Sequence, residues 1–172
     1  MHQLILMRHA KAERAHDGEA DHARALSPAG RDAAMRMRGC LRALGIEPDV
    51  VLVSSARRTR ETLDSIAFWD DQPNIEVLDA LYMASPARLL EVLGGLRETV
   101  RSVMLVGHNP GLHDLALSLA AGAPRESPAF QALHEGFPTA RLADFVIMTP
   151  WRDLRAGAAR LQRVVDPPSL PR

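Results

Sequence analysis

Three short stretches set arginine and histidine directly after apolar runs: "LILMRHAKAE" at residues 4–13, "VLVSSARRTRET" at 51–62 and "VMLVGHNPG" at 103–111. They bring forward Arg8 and His9, then Arg57, Arg58 and Arg60, then His108 and Asn109. Neither arginine nor histidine is a turn-forming residue, so the chain does not place them there to reverse direction. Their chemistry supplies the reason. A guanidinium fork matches phosphate oxygens geometrically, and an imidazole near neutrality is both a proton carrier and a nucleophile. Gathered in one small volume, such groups repel one another unless an anion sits among them, and phosphate is the anion that fits.

The elements that would gather them follow from the periodicity. Apolar runs at Gln3 to Met7, Val50 to Val53, Ile75 to Leu78, Val103 to Val106, Phe145 to Met148 and Leu161 to Val165 read as strands. Between them, Pro28 to Leu44 follows a capping Ser27, carries proline at its first position and stops at Gly45 and Pro48. Further helices are expected over Arg60 to Trp69, Pro86 to Leu96 with Ser85 as cap, and Gly111 to Ala121. Strand and helix thus alternate, which predicts an α/β fold: a three-layer α/β/α sandwich with a mostly parallel central sheet. In such a sheet the carboxyl ends of the strands share one edge, and ligands bind beyond it. A helix starting near Asn109 or Pro110 would add free N–H groups there. Glu13 to Ala25 and Ala123 to Thr139 read as long loops able to rim a pocket, and "DPPSLPR" as a Pro-rich end.

Composition narrows the partners. The 172 residues are expected to form one domain, residues 1–172. Its 21 basic and 21 acidic residues cancel, so no global field draws in nucleic acid or an anionic membrane, and any anion site is local. Aromatic residues make up only 4%, too few for a stacking surface that binds single strands. The single cysteine, Cys40, excludes a disulfide framework. With no apolar segment of membrane-spanning length and no signal-like start, the expected location is cytoplasmic.

Taken in order, "LMRHAKAE", "RALSPAGRDAA", "VLVSSARRTRETL", "VMLVGHNPGL" and "FPTARLADFVI" resemble the histidine phosphatase superfamily, which is phosphoglycerate mutase-like in fold. The compact length and the alanine after the histidine resemble its SixA-like phosphohistidine phosphatase branch. The resemblance implies that His9 is the nucleophile and Arg8 a phosphate ligand. The superfamily's second arginine stands four residues before a threonine, which selects Arg58 ahead of Thr62 and leaves Arg57 as a rim group. His108 falls on the second pocket histidine, and Arg24 of "RALS" on an arginine at the pocket mouth. Arg24, Arg57 and Asn109 are therefore the expected substrate-binding residues around a catalytic group of His9, Arg8, Arg58 and His108. No cofactor is expected. The partner implied is a phosphorylated protein, such as a histidine phosphotransfer domain, or a small phosphorylated molecule.

One departure bears on the substrate. Many superfamily members supply a carboxylic acid to protonate an alkoxide leaving group, and here "VLDALYMASP" offers only Asp79. A phosphorylated imidazole can depart as a neutral ring once protonated by solvent, so the absence of such an acid favours phosphohistidine. A small-molecule phosphomonoesterase and a non-catalytic phosphate-binding signalling module are the alternatives. His16, Asp17, Asp21 and His22 share a loop but lack compact metal-ligand spacing, so no metal is assigned.

Overall fold

The computed structural model describes residues 1–170, so the last two residues of the Pro-rich end lie outside the described residues. Strands β1 (His2–Arg8), β2 (Val50–Ser54), β3 (Asn74–Leu78), β4 (Ser102–Gly107), β5 (Leu142–Ile147) and β6 (Ala159–Val165) form one sheet in the order β3-β2-β4-β1-β5-β6. β1 pairs with β4, and β2 with β4 and β3, all in parallel. β5 runs antiparallel to both β1 and β6, so it alone is reversed. The expected mostly parallel α/β sandwich is the fold observed. β4 lies between β1 and β2, and the three strand ends that carry Arg8, Arg58 and His108 are therefore neighbours at one edge.

Side-chain alternation divides the core between the two faces of the sheet. Leu4, Leu6, Leu52 and Leu105 pack against Leu89 and Leu93 of α3 (Pro86–Gly94), Leu112 and Leu115 of α4 (Gly111–Leu119), and Phe130 and Leu133 of α5 (Pro128–Glu135). Ile5, Met7, Val51, Val53 and Val106 pack on the other face against Met37 and Leu41 of α1 (Pro28–Ala43) and Leu63 and Ile66 of α2 (Arg57–Ile66). Burial on both faces explains why these strands read as unbroken apolar runs.

Three differences from the sequence reading bear on the site and its surroundings. Helix α2 begins at Arg57, so Arg57 and Arg58 occupy its first turn and do not precede it. The stretch Ala123 to Thr139, read as a loop, contains α5. Its start repeats a signal used twice already: Ser27, Ser85 and Ser127 each accept a hydrogen bond from the N–H three residues on, with proline between. Strand β5 starts three residues earlier than expected because Asp144 interrupts its apolar pattern. In the sheet that carboxylate is buried, accepts a hydrogen bond from Gln3 (3.1 Å) and forms an ion pair with Arg163 (3.1 Å).

Two glycines bring helices against the loops at the site edge. A Cβ on Gly30 of α1 would stand 2.0 Å from the Lys11 carbonyl oxygen, and one on Gly111 of α4 would stand 1.9 Å from that of Ala84. Only glycine permits these approaches.

Candidate active site

His9 leaves β1 with its backbone N–H bonded to the Gly107 carbonyl of β4 (3.1 Å). Its Nδ1 lies 2.7 Å from the carbonyl oxygen of Ala10. A carbonyl only accepts, so Nδ1 carries the proton and Nε2 keeps its lone pair. The Ala10 N–H in turn donates to Thr62 Oγ1 (3.0 Å), and Thr62 donates to the Arg58 carbonyl (2.7 Å). This hydroxyl gives the Arg58 to Thr62 spacing a physical purpose: it ties the first turns of α2 to the residue that holds the His9 ring.

His108 follows β4. Its ring centroid lies 5.3 Å from that of His9, and its Nε2 is 2.7 Å from Ser54 Oγ at the end of β2. Both imidazoles are buried. Burial is the main cause that lowers the His9 pKa to about 4, and Arg58, Arg8 and Arg24 lower it further against the opposing bond to Ala10. Burial likewise takes His108 to about 3, with His9 and Arg58 adding to the effect. Both rings are neutral at physiological pH.

The guanidiniums are fixed by the surrounding backbone. Arg8 donates from Nη1 to the Phe137 carbonyl (3.2 Å), which also accepts from Asn109 Nδ2 (2.7 Å). Arg58, with its side chain only 4% exposed, donates from Nη1 to the Asp21 carbonyl (2.9 Å) and from Nη2 to Asp21 Oδ2 (3.0 Å). Asp21 also accepts from Arg24 Nη1 (2.9 Å) and from the Tyr82 hydroxyl. The Tyr82 bond, helped by Arg24 and Arg58, holds the Asp21 carboxyl far below the usual carboxylate range. Nε of Arg8, Nε of Arg58, Nδ1 of His108 and Oδ1 of Asn109 are buried without a partner among the described residues. Unsatisfied polar groups of this kind are costly, and four of them on residues that line one cavity mark a place suited to a hydrogen-bonding guest.

The cavity measures about 570 Å³ and is lined by Arg8, His9, Arg24, Arg58, His108 and Asn109, six of the seven residues selected from the sequence. Arg57 is not among them. It projects from the outer side of α2 and pairs with Glu61 at 3.0 Å, one turn on. Asp79 is exposed in a 3-10 turn and is also absent from the lining. The lining adds Lys11, Asp21, Tyr82 and Met83, none of which the sequence reading selected. In the sequence Asp21 stands only as a loop carboxylate beside His16, Asp17 and His22. In the fold it turns inward to Arg58 while His22 meets Ser55 Oγ (2.9 Å). Among the described residues no three His, Cys, Asp or Glu side chains converge as metal ligands would. A larger cavity of about 710 Å³ between α5 and β6 is lined by small and apolar residues with Arg160 and Arg163, and by no histidine or carboxylate.

Two neutral imidazoles and two anchored guanidiniums stand together at the carboxyl edge of a mostly parallel sheet, a grouping whose chemistry suits an oxyanion. The family model for the histidine phosphatase superfamily (branch 1) matches residues 4–82. An uncharacterized protein of Mycobacterium tuberculosis is 35% identical over 155 residues, covering 90% of this chain and 96% of the relative. A Nakamurella multipartitia structure assigned as phosphohistidine phosphatase SixA superposes with a TM-score of 0.84 at 30% identity, over 98% of this chain and 97% of that one. The protein histidine phosphatase SixA complexed with tungstate superposes with a TM-score of 0.76 at 26% identity, over 96% and 97%. The chain belongs to the histidine phosphatase superfamily and, within it, to the SixA-like branch.

Proposed function

We propose that the chain, acting as one domain, is a metal-independent phosphatase that transfers phosphate to His9 and then to water, with phosphohistidine on a protein as its substrate. The observation that carries this reading is the His9 tautomer: Nδ1–H is held by the Ala10 carbonyl, so the Nε2 lone pair is available at neutral pH. Nε2 attacks phosphorus in line, the P–N bond to the substrate imidazole, protonated by solvent on its other ring nitrogen, breaks on the opposite side so that a neutral ring leaves with the electron pair, and a phosphohistidine forms on the enzyme. Arg8, Arg58 and His108 stabilise the phosphoryl oxygens as charge shifts among them. Water then attacks phosphorus, the Nε2–P bond breaks, and phosphate leaves with a proton released to solvent.

The carboxylates argue for the substrate. Among the described residues Asp21 is the one carboxylate lining the cavity, and Tyr82, Arg24 and Arg58 keep it ionised, so it has no proton to give a leaving alkoxide. A phosphorylated imidazole protonated by solvent on its other ring nitrogen departs as a neutral ring, so it needs no such donor from the protein. The SixA likenesses support the same choice.

The test is turnover at equal concentration of a phosphorylated histidine protein, an aryl phosphate and a sugar phosphate, with and without a chelator. The histidine protein and the aryl phosphate are expected to react, the sugar phosphate to be nearly inert, and the chelator to change nothing. Efficient sugar-phosphate hydrolysis would reject the substrate assignment.

A further inference from the structure

Ser54 closes β2 with its side chain wholly buried, and its Oγ lies 2.7 Å from His108 Nε2. Two arrangements of protons satisfy that distance. In one, His108 carries its proton on Nε2 and donates to the serine. In the other, the serine hydroxyl donates to an unprotonated Nε2, and the ring carries its proton on Nδ1.

Counting donors and acceptors separates the two. Ser54 Oγ already accepts a hydrogen bond from the Ala56 N–H (3.3 Å), and the serine proton has no acceptor besides His108 among the described residues. If the serine accepted from both Ala56 and His108, its own proton would be buried without a partner. The His108 Nδ1 lone pair, which also has no partner among the described residues, would then be an unpaired acceptor on a ring that lines the cavity beside Arg8 and Arg58. If the serine donates, its proton and one lone pair are both used. The one orphan left on the pair is then an N–H on His108 Nδ1. An unpartnered donor beside an anion site is satisfied when the anion binds, whereas an unpartnered lone pair is repelled by it.

We infer that Ser54 is a positioning residue that holds His108 in the Nδ1–H tautomer, so that this neutral ring meets a bound oxyanion as a hydrogen-bond donor. The inference rests on the phosphatase reading for its purpose, but its observable does not depend on turnover. Ser54 belongs to no part of the substrate contact. It acts through His108, from the same strand end that launches Arg58. Thr59 keeps it in place by donating to the Ser54 carbonyl (2.8 Å).

The experiment is nitrogen NMR on the full chain labelled at histidine, with the His108 signals assigned by their loss in His108→Gln. The wild-type ring is expected to show the pattern of a neutral imidazole protonated at Nδ1, and Ser54→Ala to shift it toward Nε2–H. Tungstate, used as the oxyanion probe, is expected to bind Ser54→Ala about three- to tenfold more weakly, the range for one neutral hydrogen bond. A wild-type ring protonated at Nε2 would overturn the inference, and so would an Nδ1–H ring that Ser54→Ala leaves unchanged. If Ser54→Ala does not fold, the wild-type spectrum still decides the tautomer. Ser54→Cys, whose thiol is a weak donor of similar size, then supplies the comparison. Failure of the phosphatase reading would appear separately, as no phosphate release by a protein whose His108 tautomer is as described.

Discussion

Arg57 and Arg58 are adjacent in sequence and opposite in circumstance. Arg58 is buried in the cavity wall, whereas Arg57 is half exposed and satisfied by Glu61. Hydrogen bonds to charged groups are worth roughly 1.5–3 kcal/mol, so Arg58→Ala should lower kcat/KM by about tenfold or more. An exposed pair separated by one helical turn contributes at most a few tenths of a kcal/mol, so Arg57→Ala should leave kcat/KM within about twofold of wild type. Steady-state kinetics on an aryl phosphate would check the ordering. The sequence could distinguish these two arginines only through the threonine four residues after Arg58. It placed Arg57 among the rim groups because a residue in the first turn of a helix has no legible direction until the helix boundary is known. Asp21 and Tyr82 were illegible for a related reason: they lie 61 residues apart and meet at a hydrogen bond that no local pattern announces.

Helices and strands position the site through a few backbone contacts, and two of these can be broken without touching a charged group. Thr62→Val keeps the shape but removes the acceptor of the Ala10 N–H, leaving a buried donor unsatisfied at a cost of about 1–3 kcal/mol. A lower Tm accompanied by a fall in kcat is the expected result, because Ala10 also orients His9. Gly30→Ala forces a methyl into the Lys11 backbone and should destabilise by about 1–3 kcal/mol, read as a lower denaturant midpoint with unchanged slope. Most elements were legible because their ends carry capping serines, prolines and glycines. Helix α5 was missed although it bears the same Ser-Pro start, since its eight residues are too few for a clear period. The reversed direction of β5 cannot be read from its residues either, because strand direction is set by pairing partners and not by local propensity.

At the scale of the whole molecule, folding buries two imidazoles in their neutral form, and this ties stability to pH. The unfolded rings titrate near 6.5, whereas the folded ones titrate at about 4 for His9 and about 3 for His108. Between those values the unfolded chain binds more protons than the folded one, so stability rises with pH across that window and falls as the solution is acidified below about 6.5. Thermal melts from pH 7 to pH 4 should show this decline, and His9→Asn combined with His108→Asn should flatten it. The order of chemistry-bearing strand ends made the fold and its family legible at once, because a parallel sheet collects those ends at one edge wherever they stand in the chain. The proton on each imidazole was not legible, since it depends on the Ala10 carbonyl and the Ser54 hydroxyl, which only the folded backbone brings into place.

The central claim is that His9 carries the phosphoryl group. Mixing the protein briefly with a histidine protein bearing labelled phosphate, quenching in alkali and locating the label by mass spectrometry tests it directly. Label on His9 that forms and decays as free phosphate appears is the predicted result, with His9→Ala folded, unlabelled and slower by roughly 10³-fold or more. Phosphate release at near wild-type rate by His9→Ala, or label on any other residue, would contradict the account.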